Sequence, residues 1–415
     1  MNRTSNAVAL AAVLALAPAA AAAAPGNGIR LGGSEGRLHP FLELEGRYDS
    51  NVYYAADRAS AGDVILHVRP GLEVTVPGER IAVEFSGKLD WAQYLGQSDP
   101  DTSDLSELYA DAGLGLAVNR RGVVGLELQD DFRRSPSTSA LVFGTAVISN
   151  LNALDVRVPW RPGGGALVLA ATGGWTLETF EPYFDAPICD PVTTPTCDPD
   201  VISDLGYDEV RAGGEARWLF LPRTSAVLEG GWFSRQPNDT DLSDEISGFG
   251  ATVGVTGLVT PHLGATVKAG YGATSGAQED AAGPLVTVEA EWTPAQTVTA
   301  RAGYVRRHGV DPGTVLSVYT ADRVGAMGRI LLAGRYTAGI DASWESRAYE
   351  IAAGSATAEV LTVSPSLEVA LARWMTATLA YAYTSRDSAF PASIPAAPAY
   401  DYSKSEAWLK LAVKY

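Results

Sequence analysis

Few residues in this chain are spaced for chemistry. Its four histidines, His39, His67, His262 and His308, are scattered without the spacing that would let two of them share a metal ion. His308 has Asp311 close in sequence, the one place where a base and an orienting carboxylate fall together near a strand end. Carboxylates are so abundant here that this neighbour carries little meaning. Gly32-Gly33-Ser34-Glu35-Gly36 spells a nucleophile elbow by letter, but it lies in a Gly-rich lead-in rather than on a strand-to-helix turn. The run Asn238-Asp239-Thr240-Asp241-Leu242-Ser243-Asp244-Glu245 is rich in oxygen donors, matches no EF-hand, and reads as a solvated acidic loop. Cys189 and Cys197 sit close together and read as one disulfide that restrains a long loop. The sequence therefore assigns no catalytic residue, no metal site and no cofactor, and the chain is expected not to be an enzyme.

The elements around these residues explain the missing chemistry. Residues 1–24 have the cationic start, short apolar run and Ala-rich end of a secretory signal peptide, and residues 25–37 form a flexible Gly-rich lead-in. Export is also what allows the disulfide. The formal net charge of −17 repels polyanions, so nucleic acid is excluded as a partner. The chain is 46% hydrophobic, yet beyond the leader no segment approaches the roughly 20 consecutive apolar residues of a membrane helix.

Alternation accounts for that combination. From residue 38 onward, apolar and polar residues exchange places with a period of two, the signature of strands with one apolar face. Leu42, Leu44 and Tyr48 oppose Glu43, Glu45, Arg47 and Asp49; Val83, Phe85, Leu89 and Trp91 oppose Glu84, Lys88 and Asp90. Tight turns fall at Pro77–Arg80, Asn119–Gly122, Arg161–Gly164, Leu221–Thr224, Thr260–Leu263 and Thr293–Gln296, with weaker signals at Ala326–Arg329 and Leu371–Arg373. Longer polar loops alternate with them, the longest at 181–205. Eight turns and nine loops predict 18 antiparallel strands, with 16 as the nearest alternative, over residues 38–415. An even number places both termini on one side, the periplasmic side of an outer-membrane barrel.

Tryptophans separate a membrane wall from a soluble sandwich. Trp160, Trp218, Trp292 and Trp374 abut short turns, while Trp91, Trp175, Trp232 and Trp344 lie toward the long loops. Two rows of indoles are what a bilayer with two interfaces selects. Only Trp408 falls on the polar face. The fold expected is an all-β, up-and-down transmembrane barrel. At this width the wall encloses water or an inward-folded loop, for which 181–205 is the candidate. The pore-lining set is Glu43, Glu45, Arg47, Asp49, Glu84, Lys88, Asp90, Glu127, Asp131, Arg133, Glu209, Arg211, Glu215, Arg217, Arg335, Asp341, Glu345 and Arg347, with Glu368 beside them. Mixed signs at close quarters suggest salt-bridge ladders holding the wall round.

The last strand, 401–415, ends its apolar face on Tyr415 and resembles the closing strand of bacterial outer-membrane barrels, which implies contact with the barrel-assembly machinery. The first strand, His39-Pro40-Phe41-Leu42-Glu43-Leu44-Glu45-Gly46-Arg47-Tyr48-Asp49-Ser50-Asn51-Val52-Tyr53, resembles the opening of the putative β-barrel porin-2 family of Gram-negative bacteria. Many members of that family are encoded with exopolysaccharide or capsule machinery. The resemblance implies an outer-membrane channel set in lipid and lipopolysaccharide, passing secreted polymer from periplasmic export machinery. A general porin for small hydrophilic solutes and a non-conducting scaffold are the two alternatives.

Overall fold

The computed structural model describes residues 26–415 apart from 33–34, 55–59, 97–101, 103–104, 138–146, 183–198, 240–244, 277–279, 311–317, 352–353 and 390–400. The strands in chain order are β1 (Ile29–Arg30), β2 (Arg37–Asp49), β3 (Asp63–Val76), β4 (Ile81–Tyr94), β5 (Glu107–Val118), β6 (Leu126–Ser137) and β7 (Val147–Trp160). They continue as β8 (Leu167–Pro182), β9 (Tyr207–Leu221), β10 (Thr224–Pro237), β11 (Ile246–Thr260), β12 (Leu263–Ser275) and β13 (Asp280–Ala295). The last six are β14 (Val298–Val310), β15 (Val318–Leu332), β16 (Tyr336–Ile351), β17 (Gly354–Ala372), β18 (Met375–Ala389) and β19 (Tyr402–Lys414).

Strands β2 to β19 pair antiparallel with their chain neighbours, and β19 returns to β2 from Glu406↔Asp49 to Lys414↔Phe41. The result is the expected closed 18-strand barrel with one short strand added. Closure is what the composition demands: backbone groups facing lipid find no water, so every strand needs a partner on both sides. Each barrel strand has 12 residues or more, beyond the roughly 9–11 that cross a bilayer at a tilt. The surplus projects past the apolar band as rims.

Of the eight expected turns, seven lie at or within a few residues of a strand-to-strand connection. The eighth is displaced. Residues Ala326–Arg329 lie inside β15, and the chain reverses at Ala333–Arg335, where Ala333 and Gly334 have φ of 50° and 68°. Gly325, just before the expected turn, sits in the wall opposite Gly303. Arg335, expected in the pore lining, consequently belongs to a turn.

The lead-in holds an ordered piece. β1 pairs with β2 through Ile29↔Leu38 and Arg30↔Arg37, just beyond the last β19–β2 pair. It continues the edge of β2 beyond the Lys414↔Phe41 pair. Both described termini lie at the turn end of the barrel.

Burial is uneven along the axis. Val52, Tyr53, Tyr94, Tyr109, Val147, Phe180, Tyr207, Ile246, Val318, Tyr319 and Tyr349 are buried, all at or near the loop ends of strands. The turn half has few such residues. The outward face is as apolar as the alternation predicts, with Leu44, Leu89, Val253, Tyr271, Ile340 and Leu409 exposed, as are all eight tryptophans of the two rows.

Candidate functional site

Alternation determines which side chains meet in the lumen, and register determines how they pair. Lys88 lies 3.2 Å from Asp111, which also receives Arg133 at 3.4 Å. Arg157 bridges Glu127 at 3.0 Å and Glu215 at 3.3 Å, and Arg217 reaches Glu215 at 3.1 Å. Arg211 pairs with Asp155, Arg235 with Glu209, and Arg347 with Glu345. Most of these pairs link different strands, while Arg217–Glu215 and Arg347–Glu345 join positions two apart on one strand. Glu84 and Asp341 instead line recesses in the wall, and Asp131 accepts a hydrogen bond from Gln129 at 3.0 Å. Glu368 shares the face of its pairing partner Thr337 on β16.

The densest cluster lies on β19, β2, β3 and β4. Arg69 donates to Glu45 at 2.7 Å and to Asp90 at 2.8 Å, and His67 Nδ1 lies 2.9 Å from the same Asp90. Arg47 bonds Glu45 at 2.8 Å and Glu406 at 3.2 Å, with its guanidinium 5.1 Å from the Trp408 ring. Trp408 therefore does face the lumen, held by a cation–π contact. Lys404 extends the chain of charges to Asp49 at 2.7 Å, both side chains being no more than 5% exposed. A buried pair in this setting is coupled far more strongly than Arg121–Glu79, at least 85% exposed at the turn rim.

The stretch that carries the family resemblance turns out to fasten this seam. Asp49 Oδ1 accepts the amide of Asn51, Asn51 Nδ2 donates to the Ser403 carbonyl, and Ser50 bonds Ser405 through both backbone and hydroxyl. The chain then folds inward. Val52 and Tyr53 pack with Ala61, Ile65, Ala92, Tyr94, Leu105 and Tyr109. Tyr54, with φ of 53°, meets Tyr402 edge-on and lies 3.6 Å beneath the Lys404 ammonium. Burial pushes the Tyr54 phenol up from its ordinary pKa.

A second inward element comes from the loop expected to constrict the lumen. Its final part forms a short helix, Pro199–Asp204, whose Ile202 packs with Leu205, Val147, Phe180 and Tyr207. Phe180 and Tyr207 are lumen-facing, and the Tyr207 hydroxyl donates to Glu178 at 2.7 Å beneath the helix. Arg235 lies 3.8 Å over the Tyr207 ring. Cys189 and Cys197 fall outside the described residues, as do Ser34, Asp311 and residues 240–244 of the acidic loop. Among the described residues no group of His, Cys, Asp and Glu is arranged to hold a metal ion.

The turn half is roomier. A recess of about 900 Å³ runs against β11 to β17, lined by hydroxyls of Thr256, Thr266, Ser343 and Ser364 and by Arg301, Arg323, Glu289 and Asp341. A smaller one of about 430 Å³ lies on the far wall beside Glu84, Glu127 and Asp155. Sequence reasoning left Asp111, Asp155, Arg157, Glu178, Arg235, Lys404 and Glu406 out of the pore set. For β7 the reason is visible: Leu151 points inward and Asn152 outward, which breaks the polarity pattern on both faces.

An 18-strand barrel with an apolar exterior, two indole rows and a charged lumen is an outer-membrane β-barrel of the porin type. Residues 25–414 match the model of the family described as putative beta-barrel porin 2, and the chain belongs to that family. No curated protein matches it. Among solved structures it is similar to Pseudomonas aeruginosa OpdK crystallised with vanillate: 14% identity, 91% of this chain and 99% of that one covered, TM-score 0.48. It is also similar to the P. aeruginosa siderophore receptor PirA (10%, covering 92% and 81%, TM-score 0.47) and to Acinetobacter baumannii OccAB4 (12%, covering 94% and 100%, TM-score 0.45).

Proposed function

We propose that the barrel is a hydrophilic conduit and that its cargo is secreted exopolysaccharide or capsule polymer, moving from a periplasmic turn end to the loop end. The supporting observation is the turn-side lumen, where hydroxyl and ionic side chains of both signs line an unfilled recess. Such a wall exchanges many weak hydrogen bonds with a hydroxylated chain and gives an apolar solute nothing to hold. The first-strand resemblance to exopolysaccharide-associated barrels supports the choice of polymer. No catalytic step is assigned to the chain.

Deleting the gene should abolish or strongly reduce surface polysaccharide, and the purified barrel should carry ion current across a planar bilayer. Unchanged polysaccharide together with lower uptake of small hydrophilic solutes would replace this reading with a general porin. The inward packing of Val52, Tyr53 and the helix Pro199–Asp204 favours that second reading, because it narrows the loop end. No conductance under any condition would leave a scaffold.

A further inference from the structure

The charge of this barrel is sorted along its axis. Across the eight turns every charged residue is an arginine except Glu79, which lies 3.3 Å from Arg121. The arginines are Arg80, Arg120, Arg121, Arg161, Arg223, Arg335 and Arg373. In the nine connections at the opposite end the reverse holds: every charged residue except Arg58 is acidic. Solvation alone would mix the signs at both rims. The lumen between them is mixed, with Glu291 paired to Arg301 at 2.7 Å and Lys268 to Glu229 at 2.9 Å. The excess positive charge therefore belongs to the turn rim.

Two chemistries could use such a collar: phospholipid headgroups around the outside, or an anionic solute at the opening. The side chains distinguish them. Arg223 lines the larger lumen recess and Arg120 the smaller. Arg161 reaches to 3.9 Å of Glu127, a lumen-facing carboxylate already paired with Arg157. Three of the seven arginines thus address the passage, from three successive turns along one arc of the rim.

We infer that the turn-end mouth, through Arg120, Arg161 and Arg223, collects a solute or polymer bearing carboxylate, sulfate or phosphate groups. This rests on the conduit reading above and specifies the charge of its cargo. A fixed collar raises the local concentration of an oppositely charged ligand and its rate of capture. Acidic groups at the far end disfavour capture of the same ligand from there. Loading from the turn end is then favoured over back-entry.

The test is current block of the purified full-length barrel in a planar bilayer, with polygalacturonate oligomers as the anionic probe and dextran oligomers of equal length as the neutral one. Polygalacturonate added to the turn side should block roughly ten-fold more often than from the loop side, and the difference should vanish near 1 M salt. Dextran should show no preference of side. R120Q/R161Q/R223Q should lose the preference, and R120K/R161K/R223K should keep it. Equal block from both sides, or a preference untouched by the glutamine variant, would overturn the inference while leaving the open-channel current, and so the conduit reading, intact. If the glutamine variant changes only the dependence of insertion on phosphatidylglycerol, the collar serves lipid and the inference fails.

Discussion

Lys404 Nζ lies 2.7 Å from Asp49 Oδ2 with both side chains almost completely buried, so the last and first barrel strands are joined by an ion pair shielded from water. Removing one partner strands the other charge. Lys404→Met should therefore destabilise the folded barrel by about 3–5 kcal/mol, whereas Lys404→Met combined with Asp49→Asn should recover much of that. The readout is the temperature at which the compact form is lost on a detergent gel. Equal temperatures for wild type and the single variant would mean the pair is no part of closure.

The other end of the same seam is held differently. His39 Nδ1 lies 2.9 Å from the Tyr415 carbonyl, and the Tyr415 amide donates to the Pro40 carbonyl at 3.0 Å. Gly28, at φ of 70°, passes so close to the imidazole that an added Cβ would fall 2.5 Å from it. His39→Ala should cost about 1 kcal/mol, the usual value of one hydrogen bond. Gly28→Ala should cost more, through both strain and the clash. Because both act on one interlock, their effects on the urea midpoint in micelles should be less than additive; strict additivity would argue that β1 and His39 are independent.

Neighbouring positions on β11 give the cleanest check of which face meets lipid. Val253 is 61% exposed on the outer wall, while Thr252 pairs with Glu229 and Gly270 on the lumen side. Val253→Arg should cost about 2–4 kcal/mol in a bilayer, and Thr252→Arg little. Refolding yields into vesicles measure both. Similar yields would contradict the assigned faces.

Most of this architecture could be read from the sequence because a barrel wall is written with a period of two. The strands follow from that period, their number and the eight turns with one displacement from the short Pro- and Gly-bearing connections, and the indole rows from their distance to those connections. What could not be read depended on partners distant in sequence. His67 and Arg69 were visible as polar, but their meeting with Asp90 and Glu45 is fixed by register. Asp49-Ser50-Asn51 carried the family resemblance, yet its hydrogen bonds go to Ser403 and Ser405, over 350 residues away. Arg335 is misplaced because a turn at Ala326–Arg329 would set it inside a strand, whereas the reversal at Ala333–Arg335 is fixed only by the pairing of β15 with β16.

The packing of Pro199–Asp204 leads to a prediction about conduction. Phe180 is 2% exposed beneath that helix and Ile202 3%, and their contacts lie in the lumen rather than in the strand ladder. Trimming both to alanine, F180A/I202A, removes the apolar anchor of the inward element and leaves every barrel hydrogen bond in place. Local undocking, not global unfolding, is the expected response. Single-channel conductance should rise and the loop should become more sensitive to protease, while the unfolding temperature of the barrel stays near that of wild type. Tyr207→Phe keeps the ring over which Arg235 sits and removes only the hydroxyl bond to Glu178, so its conductance should change far less. If F180A/I202A conducts as the wild type does, the helix does not narrow the path, and the constriction has to be sought among Val52, Tyr53 and Tyr109.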